Sequence, residues 1–238
     1  LSLHDALPIL NNHGERGFTF LTNPSADQFL TPDALPDLST GILHFCSLAL
    51  VAKTCRNTLV TAIEKIKQSS GLLSFDVNLR EQMWSDRQEM HDTVHHFALQ
   101  ADILKLSEEE WYWLAETQDF NQALDFLKTL PARLKVVTYG AQGAMILQND
   151  MIIHFNGYTV NSVDTTGAGD AFLAGLLAYI AQAGMPQNIE QIKDAMTQAS
   201  ACGALATTRK GALTALPDSK TLNEFIRQYP LLDYEIKA

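Results

Sequence analysis

The residues best suited to chemistry lie in the stretch VDTTGAGDAF, residues 163–172. Gly167, Ala168 and Gly169 are small, so the backbone there can turn tightly and bring its N–H groups close to a ligand. The apolar run that follows indicates a helix, whose first turn leaves N–H groups without intrahelical acceptors. Such a turn binds an anion such as a phosphate group. Asp170 would repel that anion, unless it accepts a proton from the group that attacks it.

A GAGD string on its own also fits an ordinary glycine-rich turn between a strand and a helix. In that interpretation Asp170 is a first-turn acid that the helix dipole favours. The short motif alone leaves both interpretations open.

A second group of polar residues lies in FDVNLREQMW, residues 75–84. Asp76 and Asn78 fall at the end of a predicted strand, where they hold either a ligand or the local structure. Arg80 is the best local cation in an acidic chain. Its plain alternative is a surface arginine that follows a strand.

These residues need elements that bring them together, and the chain beyond residue 41 provides them. Short β-type runs alternate there with helical patterns, which indicates βαβ units and a mainly parallel sheet. The predicted strands are a buried one in GILHFCSLAL and others in LLSFDVNLR, DILKLS and KVVTYG. GAMILQNDMIIHF predicts a hairpin that turns at Asn149 and Asp150.

Two helix starts have the spacing of a capping box, in which each side chain bonds the backbone N–H of the other residue. Ser85 and Gln88 predict a helix that runs through His96. Ser107 and Glu110 repeat the spacing for the next helix.

Other helices are predicted from their ends. One spans about residues 53–68 and stops at Gly71, since glycine commonly follows the last turn. The helix that begins near Asp170 ends near Gly184. The next one starts at Asn188 and runs to about Thr207.

Composition places these elements in one soluble α/β enzyme domain. The 238 residues are 46% hydrophobic and 18% charged, which does not fit a disordered chain. A formal net charge of −10 argues against nucleic acid as a general partner, because phosphate backbones are bound by clustered Lys and Arg. No apolar run approaches the ~20 residues that span a bilayer. The three cysteines lack zinc-site spacing, so we expect a reduced, cytoplasmic protein with no membrane partner.

The longer string DTTGAGDAFLAGLL resembles the signature of the ribokinase-like (PfkB) carbohydrate kinases. FDVNLREQMW is similar to the FDxNxR stretch of the family's fructokinase branch, KLSEEE to its helix-opening element, and VVTYGAQGA to its nucleotide-side strand and turn. ASACGALATTRKGALTALP resembles its C-terminal segment, so the resemblance covers about residues 14–217 in the family's order. It implies a ribokinase-like three-layer α/β/α sandwich with a mainly parallel central sheet and a small β lid.

The resemblance also implies catalytic roles. Asp170 would accept the proton of the sugar hydroxyl that attacks the γ-phosphate of ATP. Gly167, Ala168 and Gly169 would stabilise the transferred phosphoryl group through backbone N–H groups. Arg80 would contact phosphate or substrate.

Cofactor contacts are implied in the same way. The residues implied for ATP are Ser107, Glu110, Thr138, Gly140, Gly143 and Gly169. Glu110 would act through water on Mg²⁺. Many relatives carry Asn at the position of Ser107, which leaves the direct role of Ser107 open. Because Ser107 and Glu110 also have the spacing of an ordinary capping box, this pair serves capping, metal positioning or both. The residues implied for a monovalent cation, K⁺, are Asp164, Thr166, Ala206 and Gly211.

The motifs near ATP do not indicate which sugar is the substrate, because relatives bind the sugar mainly with residues at the start of the chain. Fructose is the expected substrate. The alternatives are a 2-keto-3-deoxy sugar acid or a nucleoside-like substrate, and a nucleotide-binding chain without catalysis. A homodimer through the lid is also expected from the resemblance.

The start of the chain departs from the family pattern. In relatives a first strand and a glycine-rich element precede the lid strand, whereas here the lid-type strand in ERGFTFLT already begins near Gly14. We expect residues 1–9, LSLHDALPI, to be a non-native stretch that resembles the frame-read translation of a sequencing adapter. Residues 10–40 would be the remnant of the β lid and its connection, and residues 41–238 the α/β nucleotide-binding and catalytic domain. An N-terminally truncated chain of this kind would lack the first strand of its sheet and most sugar contacts. We therefore expect the chain as written to keep the ATP-side motifs without sugar kinase activity, and an upstream segment from a relative to restore that activity.

Overall fold

The computed structural model describes residues 6–10, 16–20, 25–229 and 233–237. Within these residues the strands are β1 Ala6–Leu10, β2 Arg16–Phe20, β3 Ile42–Cys46, β4 Leu72–Asp76, β5 Ile103–Ser107, β6 Leu134–Thr138, β7 Ala144–Gln148, β8 Met151–Phe155 and β9 Tyr234–Lys237. The helices are α1 Lys53–Gln68, α2 Arg87–Ala98, α3 Glu108–Leu114, α4 Phe120–Thr129, α5 Ala168–Ala183, α6 Ile189–Ala206 and α7 Ser219–Gln228.

Strands β3 to β9 form one seven-stranded sheet in chain order, and β1 pairs with β2 in a separate two-stranded sheet. Neighbours from β3 to β6 run parallel, and neighbours from β6 to β9 run antiparallel. Helices α1 to α4 connect the parallel strands, because such a connection must carry the chain back along the sheet. The sheet is therefore mixed, and its parallel half carries the predicted βαβ units.

Helices cover both faces of this sheet. On one face Phe75 and Leu104 belong to the same core cluster as Trp111 of α3. On the other face Ile103 belongs to a second cluster with Leu176 of α5. Successive strand residues alternate between the two clusters because their side chains point to opposite faces of the sheet. The predicted α/β/α sandwich is confirmed.

The start of α2 differs from the prediction by one residue. Its N-cap is Asp86, whose carboxylate accepts the N–H of Glu89 at 2.8 Å. The predicted capping box of Ser85 and Gln88 is therefore wrong. Asp86 and Glu89 have the same spacing one position later, and Asp caps a helix about as well as Ser does.

The predicted turns and helix ends in the second half of the chain are confirmed. Strands β7 and β8 turn at Asn149 and Asp150, whose φ angles of 49° and 64° suit a two-residue hairpin turn. Helix α5 ends at Ala183, and Gly184 is its C-cap. Helix α6 has Asn188 as its N-cap and Thr207 as its C-cap.

The predicted buried strand in GILHFCSLAL lies at the edge of the sheet instead. Within the described part of the chain β3 pairs only with β4. Of its five residues only Phe45 is buried. An apolar run predicts a strand, but it does not decide which neighbours the strand has.

The hairpin of β1 and β2 contains the predicted strand in ERGFTFLT. Its antiparallel register pairs Ala6 with Phe20 and Leu10 with Arg16. Strand β1 crosses the predicted boundary between residues 9 and 10, while residues 1–5 lie outside the described residues. The three predicted segments of the chain stay predictions. Among the described ranges, no helix has the length and apolar character that crossing a membrane requires.

Candidate active site

The glycine turn leads directly into the first turn of α5. Gly167 is the N-cap and has a left-handed conformation with a φ of 76°, which residues with side chains rarely adopt. The N–H of Ala168 donates to the carbonyl of Thr165 at 3.2 Å. The N–H groups of Gly169 and Asp170 have no intrahelical acceptors, because they belong to the first turn. The turn therefore offers two backbone donors to an anion.

The side chain of Asp170 is exposed at this helix start. It interacts electrostatically with His44 and Cys46 of β3 and with Asp76 of β4. The carboxylate is thus near the carboxyl ends of the parallel strands and open to solvent. A carboxylate in that position can accept a proton from a ligand bound at the helix start.

A buried ion pair lies beneath this turn. Nζ of Lys105 in β5 lies 3.0 Å from both carboxylate oxygens of Asp76 in β4. The two side chains are 8% and 3% exposed, and the residues face each other in the parallel register. A Cβ placed on Gly169 would lie 3.3 Å from the same Nζ, so the pair meets the first turn of α5.

Several charges act on Asp76. The pKa of Asp76 is raised from 3.8 to about 6, mainly by burial and against the charge and hydrogen bonds of Lys105. The negative charges of Glu110 and Asp170 contribute to this rise, because a nearby like charge disfavours ionisation. Three carboxylates therefore share one small region at the ends of β4, β5 and α5.

Glu110 joins two elements of this region. One carboxylate oxygen accepts the N–H of Ser107 at 2.7 Å, and the hydroxyl of Ser107 accepts the N–H of Glu110 at 3.2 Å. This confirms the predicted capping box at the start of α3. The other carboxylate oxygen accepts the N–H of Leu79 at 2.8 Å. Glu110 therefore holds the segment after β4 against α3.

The segment after β4 also carries Asn78 and Arg80. Asn78 has a φ of 36°, in the left-handed region that Asn tolerates better than most residues. Its carbonyl accepts the hydroxyl of Ser47 at 2.8 Å. Arg80 is half-buried and interacts electrostatically with Cys46, so its guanidinium is near the end of β3. The structure thus brings Arg80 to the same region as Asp170.

A cavity of about 390 Å³ opens beside the first turn of α5. Five of the predicted site residues line it, namely Thr138, Gly140, Gly143, Ala168 and Gly169. The rest of the lining is Ala141, Gly157, Tyr158, Thr159, Val160, Ser162, Thr165, Phe172, Ser200, Gly203, Ala204 and Thr207. The small residues among them leave room for a flat or extended ligand that ends at the helix start.

Two glycines of this cavity are required by close backbone contacts. Gly143 has a φ of 109°, and a Cβ there would collide with the carbonyl oxygen of Phe155. A Cβ on Gly157 would collide with the carbonyl oxygen of Ala141. The turn after β6 and the exit of β8 therefore approach each other backbone to backbone on one wall of the cavity.

Residues 6–219 match the family described as pfkB family carbohydrate kinase. The chain belongs to this family. A fructokinase from Klebsiella pneumoniae is 44% identical to this pfkB family chain over 210 residues, which cover 87% of the chain and 68% of the relative. The family and the fructokinase resemblance predicted from the sequence are confirmed.

Solved structures of pfkB family members share the fold. A crystal structure of fructokinase from Vibrio cholerae, bound to fructose, ADP and calcium ion, has a TM-score of 0.86 and 43% identity, and the match covers 92% of this chain and 72% of that one. Aminoimidazole riboside kinase from Salmonella enterica, complexed with aminoimidazole riboside and an ATP analogue, has a TM-score of 0.80 and 34% identity, with coverage of 87% and 70%. The ribokinase-like fold is thereby confirmed.

Three of the residues predicted for a monovalent cation, Asp164, Thr166 and Gly211, meet in this pfkB family chain. The carboxylate of Asp164 accepts the N–H of Thr166 at 2.9 Å and the N–H of Gly211 at 3.0 Å. Its own N–H donates to the carbonyl of Thr207, the residue after Ala206, at 3.0 Å. Asp164 therefore organises the loop before the glycine turn, and the binding of a cation by these residues stays a prediction.

Sequence reasoning missed one wall of the cavity and the ion pair beneath it. Ser200, Gly203 and Thr207 come from α6 and its end, and their sequence shows only small residues on a helix. Lys105 lies within the predicted strand DILKLS. A lysine inside an otherwise apolar strand was the available signal, since lysine is rarely buried unless it is paired.

Proposed function

We propose that this chain transfers the γ-phosphate of ATP to a hydroxyl group of a sugar, and that the sugar is fructose. The observation that carries the proposal is the first turn of α5, where Gly169 lines the cavity and Asp170 is exposed beside it. Fructose is favoured because the Klebsiella pneumoniae relative is a fructokinase and the Vibrio cholerae fructokinase structure holds fructose with ADP.

In this proposal the cavity beside α5 holds the nucleotide, with its phosphates at the helix start. Asp170 accepts the proton of the sugar hydroxyl as the sugar oxygen bonds to the γ-phosphorus, and the bond to the bridging oxygen breaks so that ADP leaves. The N–H groups of Gly169 and Asp170 stabilise the charge on the transferred group. Arg80 adds a cation near the same point.

Mg²⁺ bound to the ATP phosphates would neutralise part of their charge. Glu110 is the residue proposed to act on that ion through water. Both of its carboxylate oxygens accept backbone N–H groups, yet each oxygen has a further lone pair for a water molecule. Among the described residues no group of three or more His, Cys, Asp or Glu side chains is arranged to hold a metal ion.

The test is a coupled assay of ADP release with Mg·ATP and fructose, on the 238-residue chain and on the same chain joined to the N-terminal segment of the Klebsiella pneumoniae fructokinase. We expect fructose-dependent turnover from the joined chain, with smaller rates for glucose and ribose, because relatives are expected to contact the sugar mainly with residues at the start of the chain. The joined chain is also the wild type for the kcat measurements on the variants below. Calorimetry with a non-hydrolysable ATP analogue runs in parallel. Binding of the analogue by the joined chain without turnover on any sugar would show a nucleotide-binding chain and would contradict the proposed activity.

A nucleoside-like substrate is the second candidate. It is favoured by the likeness to aminoimidazole riboside kinase at 34% identity. A competition assay separates the two, because the preferred substrate has the higher kcat/KM. A 2-keto-3-deoxy sugar acid serves as the third arm of that assay. The homodimer through the lid and the dependence on K⁺ stay predictions.

A further inference from the structure

The Asp76–Lys105 ion pair lies inside an apolar layer. It faces α5 on the side of the sheet whose core cluster includes Ile103 and Val136. Each of the other ion pairs found in the described ranges has one side chain that is at least 44% exposed. The Asp76–Lys105 pair is almost fully withdrawn from water.

Stability does not account for a pair in this place. Taking two charges out of water costs several kcal/mol per ion, and apolar residues of similar volume often give an equally or more stable core. Lys105 faces Val136 in the register with β6, so an apolar side chain at position 105 would continue the layer. A buried charge pair beside a cleft is a frequent mark of a functional site.

The ammonium group of Lys105 lies against the first turn of α5. Its Nζ is the nearest heavy atom to the Cβ position of Gly169, at 3.3 Å. Gly169 has no side chain, so the ammonium group reaches the backbone of the turn. A shift of Lys105 would therefore shift the turn or leave a gap beneath it.

Titratable and charged side chains surround the pair on the elements packed near it. Cys46 and His44 face it from β3, Arg80 lies after β4, Glu110 comes from α3, and Asp170 comes from α5. Three of the charged groups are carboxylates, and Lys105 is bonded to the most buried of them. The pair thus sets both the charge and the spacing under the glycine turn.

We propose that the Asp76–Lys105 ion pair is a positioning element that fixes the first turn of α5, its N–H groups and Asp170 relative to the phosphates. This inference rests on the proposed function. Reacting groups must be held within a narrow range, and a misplacement of about 1 Å can lower a rate by ~10²-fold. The two residues act through the turn and do not touch the substrate.

The test uses a double variant, Asp76→Asn with Lys105→Met, which removes both charges at nearly constant volume. A single change would leave one buried charge without its partner and destabilise the chain. Lys135→Met is the matched control, because Lys135 is another buried lysine in the neighbouring strand β6, away from the pair. Thermal unfolding is measured for all variants, so that kcat is compared between folded proteins.

We expect the double variant to keep the thermal stability of the wild type and to lose about 10²-fold in kcat. Two affinities are then compared by calorimetry, those for adenosine and for the non-hydrolysable ATP analogue. Adenosine does not reach the helix start, so its affinity should be unchanged. The additional affinity that the phosphates give to the analogue should fall, and Lys135→Met should change none of these values.

A double variant with the kcat of the wild type and an unchanged difference between the two affinities would overturn the inference. A wild-type chain without sugar-dependent turnover would overturn the proposed function instead, and the comparison of affinities would still test the ion pair. Asp76→Glu is the second variant, for use if the double variant does not fold. It keeps both charges and displaces Lys105 by about one methylene group, so we expect the same loss.

Discussion

Asp170 is exposed in the first turn of α5, where its carboxylate can reach a ligand bound at the helix start. We expect Asp170→Asn to preserve the fold and the affinity for the ATP analogue, since the amide keeps the shape of the side chain. Turnover should fall by ~10² to 10⁴-fold, the usual contribution of a general base. The measurement is kcat at saturating fructose, with calorimetry as the control for nucleotide binding.

An Asp170→Asn variant with unchanged turnover would rule out the role of proton acceptor. A fall in turnover with an equal fall in analogue affinity would instead indicate that the carboxylate helps to form the turn.

Gly143 and Gly140 give a second prediction at the scale of single residues. Gly143→Ala adds a Cβ that collides with the carbonyl oxygen of Phe155, at a φ of 109°. We expect overpacking to lower the free energy of unfolding by about 1–3 kcal/mol more than Gly140→Ala does, and analogue binding to weaken. Gly140→Ala is the control, because its φ of 58° is left-handed but nothing lies within 4 Å of the added Cβ; it should cost about 1 kcal/mol.

Denaturant unfolding and calorimetry check both variants. Equal losses for Gly143→Ala and Gly140→Ala would show that the backbone contact on the cavity wall does not exist in solution.

The turn after β6 was predictable from the family resemblance, because VVTYGAQGA is similar to the family's nucleotide-side strand and turn. The resemblance implied Thr138, Gly140 and Gly143, and all three line the cavity. Lys105 was missed, since its partner Asp76 lies in the neighbouring strand, 29 positions earlier. Pairing between strands is not visible in a local pattern.

At the scale of elements, the contact between α5 and α6 forms one side of the cavity. Gly175 allows the two helices to approach, since a Cβ there would lie 2.9 Å from Sγ of Cys202 and 3.0 Å from Cα of Ala199. Gly175→Ala should therefore push α6 away and lower the free energy of unfolding by about 1–3 kcal/mol. It should also weaken analogue binding, because Ser200 and Gly203 of α6 line the cavity.

The control for this change is Gly175→Ala combined with Cys202→Ala. It removes the contact with sulfur but keeps the contact with the backbone of Ala199, so we expect only partial recovery of stability. Full recovery would place the strain in the cysteine alone, and no loss in Gly175→Ala itself would contradict the close packing.

The elements were predicted well where a local signal marks their ends. The hairpin turn at Asn149 and Asp150 and the start of α6 at Asn188 each depend on the residue at that point. The predicted start of α2 was one residue too early. Ser85 with Gln88 and Asp86 with Glu89 have the same spacing, and Asp86 is the N-cap in the structure. Apolar content described the core strands, but it could not show that β3 lies at an edge, since the order of strands depends on distant segments.

At the scale of the molecule, the family resemblance predicted the layers, and the structure adds the order of the strands. The parallel half of the sheet carries Asp76 at the end of β4 and Lys105 in the middle of β5. In the antiparallel half, Gly143 before β7 and Gly157 after β8 form one wall of the cavity. The first turn of α5 lines the same cavity with Ala168 and Gly169. The site is thus a product of the whole sheet, and a search for single motifs finds only the part contributed by loops.

The last prediction concerns the edge of that sheet and the charge of the whole chain. In the described residues β3 pairs on one side only, and an edge of this kind can pair with another chain. A formal net charge of −10 opposes association, and salt weakens this repulsion because the Debye length falls from about 10 Å at 0.1 M to about 3 Å at 1 M. We therefore expect sedimentation velocity to show more association at 1 M NaCl than at 0.1 M. His44→Lys adds a charge at the exposed position of β3 and should reduce the association, since charged side chains protect strand edges. A dimer through the lid would be insensitive to His44→Lys, and a monomer at both salt concentrations would show that the edge does not pair at all.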